Sequence, residues 1–222
     1  MSDTVTTASA ALPASRDEPA LFRLPAELLL DILSQLSYEQ LHRVERVCKK
    51  LQTLVKDKSL DSLLFRQGVP QTPLPVGDTV ELHPIIQLVE GIFWEPGKAV
   101  IKCWGGYDDE DLEINANEYK QTIKEFATSP ACTTMDLVLH VFGNIDLVIE
   151  DDKGITVEYF FERLSEFWCG KPLPAGVVDD RPYWQRSDAN DMLGDHRFWN
   201  GWDPAFVRED GEVQLDAMYY DS

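Results

Sequence analysis

The chain has 222 residues, 44% hydrophobic and 27% charged, a balance that supports a packed core in one large domain or two small ones. Acidic residues outnumber basic ones 39 to 20, a net charge of −19, which excludes a protein that coats nucleic acid, because such a protein must present cations to displace counterions. No apolar run approaches the length of a membrane span, and Met1–Ser15 has neither the basic start nor the apolar core of a secretory signal. Neither nucleic acid nor membrane is expected as a partner.

The four cysteines, Cys48, Cys103, Cys132 and Cys169, are separated by 55, 29 and 37 residues, so no CxxC pair suggests a zinc or redox site. The four histidines are equally scattered, and none of the five asparagines opens a glycosylation acceptor. Free thiols in a reducing compartment, cytoplasmic or nuclear, are the expectation, with no metal and no cofactor.

Charge and proline divide the chain. Residues 1–20, rich in Ser, Thr, Ala and Pro, read as a disordered leader. Residues 21–68 hold 8 bases and 6 acids, whereas residues 69–222 hold 11 bases, 30 acids and all six tryptophans. Between them Val69-Pro70-Gln71-Thr72-Pro73-Leu74-Pro75 places three prolines in six positions; with φ fixed and amide donors removed, 69–79 is expected as an extended linker. The acidic remainder, 80–222, forms the second domain.

Residues 21–68 are patterned for helices. Pro25 suits a first turn, and Leu28, Ile32 and Leu36 then recur at helical spacing, with Leu29 and Leu33 beside them and Glu27, Asp31, Ser34 and Gln35 opposite. Ser37 and Gln40 have capping-box spacing and open a second helix. From Leu41 a stripe runs through Val44, Val47, Cys48, Leu51, Leu54 and Val55, and Leu60, Leu63, Leu64 and Phe65 continue it to Gly68. So short a module cannot bury this much aliphatic surface internally. The surplus packs either on the chain's own second domain or on helices of a partner.

The set Leu24-Pro25-Ala26-Glu27-Leu28-Leu29-Leu30-Asp31-Ile32-Leu33-Ser34-Gln35-Leu36, followed by Leu41, Arg43 and Val47-Cys48-Lys49, resembles an F-box in order and spacing over about 45 residues. The resemblance implies a three-helix module that binds the Skp adaptor of SCF-type cullin-RING ubiquitin ligases, with the rest of the chain selecting a protein substrate. It places adaptor contacts at Leu24, Pro25, Ile32, Leu33, Leu36, Leu41, Val47, Cys48 and Leu51. Two positions depart from the family: Leu51 stands where Trp is frequent, and Gln40 where an acid is frequent.

In the second domain His83 to Ile92 reads as a short helix entered through Pro84. Ala99 to Trp104, Asp136 to Val141 and Asp146 to Glu150 read as strands. Asp151-Asp152-Lys153-Gly154 makes a tight turn, and Thr156 caps a helix with an apolar face of Phe160, Leu164 and Phe167. Glu209 to Ser222 is expected to be partly extended. The fold class is therefore α+β: a three-helix F-box-like module followed by a mixed α+β domain. His83-Pro84-Ile85-Ile86, Ala127-Thr128-Ser129-Pro130 and Gly154-Ile155-Thr156-Val157 resemble, loosely, an uncharacterised domain of fungal proteins, which implies no activity.

Nucleophile-elbow, dinucleotide and P-loop motifs do not occur. Asp108-Asp109-Glu110-Asp111 lacks calcium-loop spacing, and Asp188 to Leu193 begins such a loop but fails at its fifth and sixth positions. No enzyme is expected; the competing hydrolase reading rests on His196 with Asp195 or Asp191. Trp184, Trp199 and Trp202 are candidates for a substrate-binding surface, against the alternative that they fill the core. The acidity of the second domain favours a substrate with a basic segment. A helix-turn-helix DNA binder is the remaining alternative, and only Lys49 and Lys50 support it.

Overall fold

The computed structural model describes residues 19–87, 100–103, 112–115, 122–139, 145–168 and 199–219. It comprises two compact units, Met1–Leu60 and Asp61–Ser222.

In the first unit a 3-10 turn at Ala20–Arg23 leads into α1 (Ala26–Leu33), α2 (Tyr38–Glu45) and α3 (Lys49–Leu54), and a 3-10 turn at Lys58–Leu60 closes it. Pro25 stands at the N-cap of α1, one place earlier than the first-turn position its chemistry also suits. Before α2 both halves of the expected capping box form: the Ser37 amide donates to Gln40 Oε1 at 2.9 Å, and the Gln40 amide to Ser37 Oγ at 3.4 Å. The apolar stripe from Leu41 does not make one helix. Cys48 is fully extended at φ −160° and ψ 162°, breaking the path between α2 and α3. α1 and α2 both pack on α3, and the unit buries Leu29, Leu33, Leu41, Leu51, Val55 and Leu60.

The second unit is built on a five-stranded sheet. Its strands are β5 (Thr134–Leu139), β6 (Ile145–Glu150), β7 (Trp199–Trp202), β8 (Phe206–Val207) and β9 (Val213–Tyr219), in the order β6-β5-β9-β7 with β8 also paired to β9. β5 and β6 form an antiparallel pair from Thr134 opposite Glu150 to Leu139 opposite Ile145, and β9 runs parallel to β5 with Leu215 opposite Leu137. Along β9 the side chains of Val213, Leu215 and Ala217 are buried while Gln214 and Asp216 are half-exposed, the two-residue period of a strand with one face on the core. Two small antiparallel pairs stand apart: β1 (Glu81–Leu82) with β4 (Thr128–Ser129), and β2 (Val100–Cys103) with β3 (Leu112–Asn115).

A four-residue helix, α4 (Pro84–Gln87), follows β1, and α5 (Val157–Trp168) follows β6. Thr156 caps α5 as its sequence position requires, accepting from the Tyr159 amide at 3.2 Å. Val157, Phe160, Phe161 and Leu164 of α5 share a continuous core with Met135, Leu137, Leu147, Ile149, Trp202, Val213 and Leu215. Phe160 meets Phe161 and Trp202 edge to face, at centroid distances of 5.5 and 5.9 Å.

The proline-rich segment lies wholly within this second unit, and so do Asp61 to Gly68. Leu74 packs against the core, the Gly77 amide donates to the Val207 carbonyl at 2.8 Å, and the Val80 amide to that of Ala205 at 2.9 Å. Phe65 is buried at φ 51°, left-handed backbone that a non-glycine residue adopts at a cost of about 1–2 kcal/mol. Burial of its ring and the bond from the Phe126 amide to its carbonyl, 2.7 Å, hold that conformation.

Candidate functional site

The first unit exposes apolar side chains that a helical module in water has no reason of its own to expose. On α1 Leu29 and Leu33 are 2% and 3% exposed, whereas Leu28 and Ile32, one turn apart on another face, are 48% and 45% exposed. Leu21, at 45%, and Val47, at 67% between α2 and α3, are exposed as well.

The nine residues expected to contact an adaptor divide by burial. Leu33, Leu41 and Leu51 are buried, and what they contribute in this fold is core packing. Pro25, Ile32 and Val47 are exposed, and Leu24, Leu36 and Cys48 are half-buried, so these six can reach a partner without rearrangement. Leu21 and Leu28 belong to the exposed set although the reading of the sequence left them out. The α1 stripe is wide enough to have two apolar faces, and periodicity does not say which one the module keeps.

Lys50 Nζ donates to the Phe22 carbonyl and lies 5.7 Å from the centre of the Phe22 ring, so one of the two lysines on which DNA binding would rely is drawn onto the chain itself. Trp202, 8% exposed, is a core residue; for Trp199 the strand backbone is described, and Trp184 lies outside the described residues. Asp108 to Asp111, Asp188 to Leu193, Asp195 and His196 also lie outside them. Among the described residues no group of three His, Cys, Asp or Glu side chains is placed to hold a metal ion, and no helix is long and apolar enough to cross a membrane.

One buried polar pair was not anticipated. His83 is fully buried, and its Nδ1 accepts from the Ile85 amide at 3.2 Å. That leaves the proton on Nε2, which faces Glu125 Oε2 at 3.3 Å. The Phe65 ring is 4.7 Å from the imidazole. With both ring nitrogens engaged and no solvent access, the imidazole joins the start of α4 to the loop before β4 and offers no nitrogen to a substrate. A His directly before Pro at a helix start is the signal that could have pointed to a side-chain cap.

Residues 21–67 match the family model described as F-box-like. No curated protein and no solved structure matches the chain. An F-box-like region supports a role as an F-box protein in general, an adaptor of the SCF ubiquitin pathway that works by binding another protein. The α+β architecture, helical at the N-terminus and mixed thereafter, is as the sequence led one to expect.

Proposed function

We propose that this protein is a substrate-recognition subunit of an SCF-type ubiquitin ligase, docking the Skp adaptor on the exposed face of its F-box-like region. The observation that carries the reading is the exposure of Leu28 and Ile32 within residues that match that family. The acidic second unit then holds a protein substrate, one with a basic segment, in the cytoplasm or nucleus. The mechanism is proximity: the subunit raises the local concentration of substrate at the ligase and makes or breaks no bond itself.

Binding of the full chain to a purified Skp adaptor tests this, with Leu28→Ala/Ile32→Ala as the variant. Each side chain has nearly half its surface still in water, so burying the remainder is worth about 1 kcal/mol. Losing both is expected to raise Kd roughly 30-fold. Far-UV circular dichroism of the variant should stay unchanged, because neither residue is in the core. Failure of the folded wild-type chain to bind the adaptor would overturn the proposal.

A further inference from the structure

Two hydroxyl–proline dipeptides occur in the whole sequence, Thr72-Pro73 and Ser129-Pro130. The fold treats them in opposite ways. Ser129 is half-buried, pairs with Glu81 in the β1–β4 ladder, and donates its hydroxyl to the Ser62 carbonyl at 2.8 Å. Thr72 is exposed, as are Gln71 and Pro73 beside it, in a stretch with neither helix nor strand.

That stretch is a strap fastened on both sides of the threonine. Before it, Val69 Cγ2 lies 3.0 Å from where a Cβ on Gly154 would stand. After it, Leu74 packs on the core and the Gly77 amide binds the Val207 carbonyl. Between these anchors Pro70, Pro73 and Pro75 fix φ and supply no amide hydrogen, and each steers the residue before it away from helical backbone. Thr72 is one of the residues so steered. Thr72 lies at a bend of this exposed stretch, so its hydroxyl is open to another protein's active site, and the anchors on either side limit the chain entropy still to be lost on binding.

We propose that Thr72 is a phosphoacceptor for a proline-directed serine/threonine kinase. In the transfer Thr72 Oγ1 forms a bond to the γ-phosphorus of ATP as the bond from that phosphorus to the β–γ bridging oxygen breaks. The hydroxyl proton passes to the kinase's catalytic carboxylate, and ADP leaves. The modification adds a charge of about −1.5 to −2 at pH 7. From Gln67 to Leu82 the sequence has no Lys or Arg, so the strap itself holds no cation to neutralise it.

The test is incubation of the full chain with ATP and a recombinant mitogen-activated protein kinase, followed by intact-mass measurement and phosphopeptide mapping. About one phosphoryl group per chain is expected, located on Thr72. Thr72→Val and Pro73→Ala should each lower incorporation at least about tenfold, while Ser129→Ala leaves it unchanged. The proposal is overturned if the chain takes up no phosphate while a Thr-Pro control peptide is phosphorylated, or if incorporation persists in Thr72→Val. Thr72 is exposed, so its replacement does not threaten the fold, and circular dichroism of the variant checks that directly.

Discussion

Gly154→Ala, compared with Gly211→Ala, separates two costs that a glycine can hide. Both glycines have left-handed backbone, at φ 98° and 88°. A Cβ on Gly211 meets nothing within 4 Å, whereas one on Gly154 stands 2.8 Å from Phe126 Cε1 and 3.0 Å from Val69 Cγ2. The backbone around Gly154 is pinned, its amide donating to the Asp151 carbonyl, that of Ile155 to Cys132 and that of Ala127 to Ile155, so relief has to come from the Phe126 and Val69 side chains. The backbone penalty common to both is about 1–2 kcal/mol, offset by about 0.4–1 kcal/mol from a stiffer unfolded chain. Crowding adds roughly 1–3 kcal/mol at Gly154 alone. Gly211→Ala should therefore destabilise by about 0–1.6 kcal/mol and Gly154→Ala by about 1–3 kcal/mol more than that. Urea unfolding followed by tryptophan fluorescence is the assay, and it reports the second unit specifically, since all six tryptophans lie there. Equal losses in the two variants, within about 0.5 kcal/mol, would refute the steric argument.

Further outcomes at Ser37 and at Cys132 can be checked in the same protein. Ser37→Ala removes the α2 cap and should cost the first unit about 0.5–1 kcal/mol, read as faster hydrogen exchange at the α2 amides. The Ser37 hydroxyl, 2.7 Å from Glu39 Oε2, is also the main cause holding the Glu39 carboxyl below its ordinary 4.5. Stability from that depressed carboxyl is present above its unfolded value and lost as pH falls through its folded one. In Ser37→Ala the NMR titration of Glu39 should move up toward 4.5, and an unmoved titration would exclude the contact. Burial pushes the Cys132 thiol up to about 11, so native alkylation at pH 8 should label half-buried Cys48 well before Cys132. With its folded pKa raised, the Cys132 contribution is full below the unfolded value of about 9 and is lost as pH rises toward 11, where urea stability should decline.

Where local chemistry dominates, sequence and structure agree closely. The capping box at Ser37 and Gln40, the turn at Gly154 and the Thr156 cap of α5 each depend on a few adjacent residues and fall where their spacing puts them. The strand expected over Asp146 to Glu150 is β6, and that over Asp136 to Val141 begins two residues earlier as β5. β9 shows the limit of local reading. Its alternation of Val213, Leu215 and Ala217 with Gln214 and Asp216 is visible in the sequence, yet a partly extended tail and a strand between two others carry the same pattern.

The sequence by itself determined the helical, F-box-like character of residues 21–67, the acidity of the remainder and the α+β class, because periodicity, caps and composition are properties of neighbours along the chain. Only the tertiary structure decided which apolar residues of α1 are buried, Leu29 and Leu33, and which stay in water, Leu28 and Ile32. Helical spacing fixes the angle between side chains around the axis but not the direction in which the core lies. It likewise decided that the proline-rich stretch is a strap on the second unit, and that His83 and Glu125 meet in the interior across 42 residues of chain. Those pairings join residues far apart in sequence, and only the folded chain brings them within bonding distance.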